Sequence, residues 1–155
     1  MKNLSFLYFT LLILSYGCTN KATNQKPDLM QICLDALCKN KDFKYLEKSP
    51  LILIENQYSK DLGDIHFGRN KVVFRNMSLP EQHAVLGKLT DKGPNYFKID
   101  DFKVENDKAE VILDLPLLTL QIPLKKDKEW VAQGISVITG DNILLPHPQK
   151  RKLNH

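Results

Sequence analysis

Ala109-Glu110-Val111-Ile112-Leu113-Asp114-Leu115 and, two residues on, Leu118-Thr119-Leu120-Gln121-Ile122-Pro123-Leu124 are the stretch that decides the fold. Apolar residues stand at every second position: Ala109, Val111, Leu113 and Leu115 in the first run, Leu118, Leu120, Ile122 and Leu124 in the second. A strand sends successive side chains to opposite faces, so each run reads as a strand with one face in a core. The parity slips by one at Pro116-Leu117, which requires a tight turn or a proline-marked bend, because proline cannot donate to an interior ladder. Upstream, Phe97 and Ile99 face one way, and Phe102 and Val104 resume out of phase across Asp100-Asp101, as a β-bulge requires. Downstream, Lys125 to Lys128 makes a polar turn, and Glu129 to Ile138, with Trp130, reads as a final strand. Together these segments predict an antiparallel meander.

Further out toward the N-terminus the period changes. From Pro27, Leu29, Cys33, Ala36 and Leu37 form one stripe at helical spacing, with Met30 and Leu34 beside it and Asp28 near the positive helix end. This helix is expected to close around Lys39-Asn40. Asp42 to Lys48 places Phe43 and Leu46 on one side of a second short helix that Ser49-Pro50 stops. Leu51-Ile52-Leu53-Ile54 is too short for a helix of its own and reads as a strand buried on both faces. Gly63 to Phe67 and Lys71 to Met77 flank Gly68-Arg69-Asn70, the composition of a hairpin turn. Ser78-Leu79-Pro80-Glu81 has capping-box spacing with proline in the first turn, so a helix is expected from about Leu79 to Leu89. A loop from Thr90 to Asn95 follows it.

The sequence therefore predicts a single α+β domain over 28–138, with N-terminal helices packed on a curved, mostly antiparallel sheet that ends in a β-meander. Helices followed by a curved meander with Trp130 near its end loosely resemble the nuclear-transport-factor-2-like (NTF2-like) and cystatin-like shapes of small secreted bacterial domains. That resemblance implies only the shape, since such folds carry both enzymes and binding modules. Thr139 to His155, rich in Gly, Asn, Pro and basic residues and including Lys150-Arg151-Lys152, is expected to be a flexible basic tail.

The first 17 residues have a different character. Lys2 precedes an apolar run from Leu4 to Leu14, and Ser15 and Gly17 form a small-residue exit. This is the form of a secretory signal peptide, and its apolar run is well short of the roughly 20 residues that cross a bilayer. Leu14-Ser15-Tyr16-Gly17-Cys18 resembles the lipobox of bacterial lipoproteins. In that family the cysteine thiol is joined to diacylglycerol, the leader is cut away, and the cysteine becomes the acylated first residue. Leu14 lies one place early and Tyr16 is bulkier than the pattern favours, whereas Gly17 fits it. The resemblance implies a signal peptide over 1–17, lipidation at Cys18, and an anchor in the bacterial cell envelope, on the periplasmic face or in the outer membrane. The alternative is an ordinary signal cut near Ser15 or Gly17, leaving a soluble secreted or periplasmic protein. Residues 18–27 then read as lipidated cysteine and tether.

Cysteine arithmetic agrees with a lipidated Cys18. The chain has three cysteines, and acylating one leaves Cys33 and Cys38 as a possible disulfide in an oxidising compartment. Five residues along an intact helix separate two α-carbons by more than about 8 Å, beyond the roughly 7 Å that a bridge tolerates. The pair can therefore bridge only if the helix unwinds before Cys38. Two free buried thiols, or a functional redox or metal pair, are the alternatives.

Composition bounds the function further. The chain has 155 residues, 43% hydrophobic and 26% charged, which excludes wholesale disorder and a polytopic membrane protein. The net charge is +4, or about +3 without Lys2, and basic residues alternate with acids along the chain. No nucleic-acid partner is expected from such a distribution. His66, His83, His147 and His155 lack metal-ligand spacing, and no metal or cofactor is expected. Asp100-Asp101 and Asp61/Asp64 are the close acid pairs, and the former would converge only at a bulge. Ser136 lacks the second glycine of a nucleophile elbow. Tyr96 and Trp130 are candidates to line a ligand pocket in the mouth of the curved sheet. The expectation is a non-enzymatic envelope domain that binds a protein partner or small ligand, with no catalytic residues assigned. An inhibitor or immunity lipoprotein, or a small pocket hydrolase or isomerase using His66 or His83 as base, are the alternatives.

Overall fold

The computed structural model describes residues 25–88 and 93–138. The leader, Cys18, most of the tether, Leu89 and the basic tail lie outside the described residues. The described chain is α+β, with three helical segments and a mixed, mostly antiparallel sheet.

Helix α1, Lys26–Lys39, begins on Pro27, whose missing N–H costs nothing in a first turn. Its apolar stripe buries Leu29, Met30, Cys33, Leu34 and Leu37 in the main core. A 3₁₀ helix, Lys41–Lys48, follows directly, with the Asn40 side chain accepting from the Asp42 N–H at 3.0 Å. Its two buried residues are the expected Phe43 and Leu46.

The strands are β1 (Leu51–Ile54), β2 (His66–Phe67), β3 (Asn70–Lys71), β4 (Val73–Arg75), β5 (Asn95–Glu105), β6 (Lys108–Leu115), β7 (Leu118–Lys126), β8 (Trp130–Ala132) and β9 (Ser136–Ile138). In the main sheet the order is β4-β1-β5-β6-β7, with β8 and β9 both pairing with the far side of β7. From β5 onward the sheet is the expected antiparallel meander. At β1 it becomes parallel on both sides, with Leu53 opposite Phe97 of β5 and Phe74 of β4. An unbroken apolar run suits this place, because both faces of β1 are covered. Leu53 faces the main core, and Ile54, also wholly buried, faces the other way.

Three expectations need correction. The second arm of the predicted hairpin, Lys71 to Met77, divides. Phe67 pairs with Asn70 across a two-residue Gly68-Arg69 turn, and the chain then leaves that ribbon so that Val73–Arg75 can join β1. Gly68 takes φ +60°, which a glycine adopts at little cost. The helix expected to reach Leu89 is α2, Leu79–Leu86, and it stops at Gly87. Its capping box is formed, with Glu81 accepting from the Ser78 N–H at 2.8 Å and the Ser78 hydroxyl at 2.7 Å. The final strand is two pieces, β8 and β9, separated at 133–135.

The features read from parity stand. The ladder between β5 and β6 shifts register between Ile99 and Asp101. The β6–β7 connection is a tight turn in which Leu115 pairs with Leu118 and Leu117 takes φ +66°. That turn is tied to the last turn of α2 by the Leu117 N–H, which donates to the Leu86 carbonyl at 2.9 Å. One core joins α1 and the 3₁₀ helix to the inner faces of β1, β5, β6 and β7 through Phe97, Ile99, Val111, Leu113, Leu120 and Ile122, among others.

Candidate functional site

The core is built of apolar side chains, aliphatic and aromatic, and two candidate sites are grooves on the surface. The first, of about 370 Å³, crosses the solvent face of β5, β6 and β7. Strand alternation places Lys103, Glu105, Lys108, Glu110, Pro123 and Lys125 along it, because their neighbours Val104, Ala109, Val111 and Leu124 point the other way. The same face carries a chain of polar contacts. Lys98 Nζ lies 3.3 Å from both Asp100 and Asp114, and the Thr119 hydroxyl donates to Asp114 at 2.8 Å. Gln121 donates to Glu110 at 2.6 Å, and Lys103 Nζ lies 2.6 Å from Asp101. Burial works against the charge on Lys98, but the hydrogen bonds and charges of Asp100 and Asp114 prevail and raise its pKa. Much of the face is thus a run of paired charges, to which Glu105 and Lys108 add charges without an ion-pair partner among the described residues.

The second groove, of about 440 Å³, lies where the end of the 3₁₀ helix and Ser49-Pro50 meet the β2–β3 ribbon. Glu47, Lys48, Arg69, Asn70 and Lys71 line it, and Asn70 Nδ2 reaches the Glu47 carbonyl at 3.5 Å. The Glu47 carboxylate is already engaged on its inner side, where the Cys38 thiol donates to Oε1 at 2.8 Å, while Lys44 lies 3.9 Å from Oε2. That hydrogen bond raises the Cys38 pKa, with partial burial and the Glu47 charge adding to it. Gly68 closes over this contact. A Cβ there would meet Cys38 Sγ at 3.4 Å and Glu47 Oε1 at 3.6 Å.

The disulfide expected between Cys33 and Cys38 is absent, and both residues are free thiols. The physical reason is the one that geometry supplied: α1 runs without a break through Lys39, so the two α-carbons keep helical separation. Burial in the core pushes the Cys33 thiol up to about 12. Neither thiol is disposed to ionise at neutral pH, which suppresses nucleophilic and metal-binding chemistry.

Tyr96 and Trp130, the pocket candidates, line neither groove. They are held apart on β5 and β8, with β6 and β7 between them. Tyr96 stands beside Ile52 on the face opposite Phe97. Trp130 packs against the core under Lys126, whose Nζ is 5.8 Å from the ring centroid. Its indole N–H is buried without a hydrogen-bond partner among the described residues.

The remaining candidates are dispersed. Asp100 and Asp101 do sit at the bulge, yet each has its own cation, Lys98 for one and Lys103 for the other. The Lys103 hydrogen bond holds Asp101 below the ordinary carboxylate range, assisted by the Phe102 N–H and Tyr58, so it stays ionised near neutral pH. Asp64 pairs with Lys71 at 2.7 Å. His66 is an exposed ribbon residue whose backbone N–H and C=O are both bonded by the Gln31 side chain, at 2.8 and 2.9 Å. His83 is exposed on α2, and Ser136 is exposed on β9. No group of three potential metal ligands occurs among the described residues, and no helix there is long and apolar enough to cross a membrane. His147, His155 and Cys18 lie outside the described residues.

Sequence reading missed the second groove, because its cations come from two segments about 20 residues apart in the chain that only the fold brings together. It also missed Asn56, discussed below. No family model, curated protein or solved structure matches this chain.

Proposed function

We propose that the chain is a lipid-tethered binding module of the bacterial cell envelope that works by contact rather than by catalysis. Tethering rests on the run Leu14 to Cys18, in which an apolar leader ends at a cysteine only eight residues before the first described helix begins at Lys26. Two or more acyl chains on Cys18 would hold the body stably at a membrane, where one chain alone binds only marginally. Seven intervening residues, fully extended, span at most about 25 Å, which confines the body to the membrane surface and raises its local concentration near partners there.

The observation that carries the contact reading is the distribution of polar chemistry. The described body has an apolar core and two open surface grooves with charged residues along them, and its acids and histidines are dispersed, several acids each beside their own lysine, rather than aimed together at a common point. Such a surface suits recognition of another macromolecule better than capture of a small molecule, which favours an enclosed, largely apolar cavity.

The test replaces Cys18 by serine in the full chain and follows metabolic fatty-acid labelling and fractionation of the envelope. The expected outcome is complete loss of label and transfer of the protein from the membrane to the soluble fraction. Unchanged label and unchanged fractionation would overturn the tether.

A further inference from the structure

The groove between the 3₁₀ helix and the β2–β3 ribbon is set in an unusually basic end of the molecule. The end of α1, the 3₁₀ helix and the ribbon carry Lys39, Lys41, Lys44, Lys48, Arg69 and Lys71 against Asp42, Glu47 and Asp64. Asp35, one turn before Lys39 on α1, lowers that excess from three charges to two, in a set of described residues whose cations and carboxylates are equal in number overall. Within the groove the lone carboxylate, Glu47, is occupied by Cys38 and Lys44. Lys71 is drawn only to Asp64, whose carboxyl is 73% exposed. Lys48 and Arg69 have no carboxylate within 4.0 Å among the described residues. Cations gathered without counter-charges repel one another and raise the local potential, and an approaching anion relieves both. The groove is broad and shallow rather than enclosed, which suits an extended segment lying across it better than a buried small molecule.

We infer that this groove is the contact surface for an acidic segment of a partner protein, with Arg69 and Lys48 engaging side-chain carboxylates of Asp or Glu residues. Arg69 offers a planar fork that takes a carboxylate with two parallel hydrogen bonds, and Lys48 and Lys71 act as point charges on either side. Gly68 is held by its φ of +60°, since a Cβ there would meet the Cys38–Glu47 pair only at ordinary van der Waals distance. The groove also lies beside the C-terminal end of α1, whereas the tether enters at its N-terminal end. Fourteen helical residues, about 20 Å, separate the two. The inference rests on the contact reading above and is independent of whether Cys18 is acylated.

Titration of the full-length Cys18→Ser chain with a deca-glutamate peptide, followed by amide chemical shifts, tests it. Shifts are expected to move in 47–50 and 68–71, with affinity falling as salt rises. The double variant K48E/R69E, at two exposed positions, is expected to weaken binding by about tenfold or more, while K103E/K108E in the other groove changes it less than about twofold. Thermal melting of each variant reports folding separately. No binding, shifts mapping elsewhere, or an unchanged affinity for K48E/R69E overturns the inference. So does displacement of the peptide by inorganic phosphate or by an oligonucleotide at matched ionic strength, which would make the groove a phosphate site. Failure of this titration leaves the tether untouched, since that is read by acylation and fractionation.

Discussion

Replacing Phe97 by alanine is expected to remove about 3–5 kcal/mol of stability, a large share of what a domain of this size possesses. Phe97 is only 2% exposed and stands opposite Leu53 in the parallel β1–β5 pair, where the sheet meets the helical layer. Truncation loses the transfer free energy of the ring and leaves a hole that neighbours fixed in two strands and a helix cannot close. Urea denaturation of the full chain is the check. The midpoint should fall with little change in slope, and the melting temperature should drop by more than about 10 °C. Val104→Ala, on the same strand but 46% exposed, is the control and should change stability by no more than about 0.5 kcal/mol. A loss below about 1 kcal/mol for Phe97→Ala would mean that the helical layer does not pack on β1 and β5 as described.

The second large effect is expected at Asn56, through polar satisfaction rather than volume. The β5 bulge interrupts the ladder after Ile99, and the Asn56 amide donates to the Ile99 carbonyl at 2.6 Å where the register shifts. Asn56 Oδ1 accepts from the N–H groups of Tyr58 and Ser59 at 2.9 and 3.2 Å, which forms the turn after β1. The Ser59 hydroxyl completes the loop, accepting from the Asn56 N–H at 2.8 Å and donating to the Asn56 carbonyl at 2.9 Å. One side chain thus sets the turn and completes the bulge. Asn56→Ala takes a partner from the Ile99 carbonyl and the Tyr58 N–H, while the Ser59 N–H keeps the Asn56 carbonyl at 3.2 Å, and a loss of about 2 kcal/mol is expected by chemical denaturation. Ser59→Ala should cost about 1 kcal/mol, and the double variant less than the sum, since both changes dismantle one network. Additive losses would mean that the two residues act separately.

Much of the fold was legible in the sequence because it is written in periods. Alternation over 109–115 and 118–124, its slip at Pro116-Leu117, and the phase break at Asp100-Asp101 correspond to β6, β7, a tight turn and a bulge. Ser78 and Glu81 similarly announced the start of α2. What periodicity does not carry is the identity and direction of a strand's partner. Leu51-Ile52-Leu53-Ile54 signals burial on both faces, but nothing local says that its neighbours are Val73–Arg75 and β5, both parallel. Lys71 to Met77 therefore read as one hairpin arm, when Val72 is where the chain changes sheets.

The sites were less legible for the same reason. Cys33 and Cys38 invited a bridge by arithmetic on the number of thiols, and an unbroken α1 keeps them apart. Tyr96 and Trp130 drew notice as aromatic residues on a sheet, yet two strands lie between them. The basic groove draws Lys48 and Arg69 from segments joined only in the folded chain, and Asn56 acquires its role from a carbonyl 43 residues away. Side-chain chemistry that depends on long-range register leaves no local trace in the sequence.

Intact-mass analysis of the protein purified from its native envelope tests the central claim most directly. The account predicts a polypeptide that begins at Cys18 and carries the added mass of a diacylglyceryl group. A chain beginning at Cys18 or elsewhere with no lipid attached would contradict it.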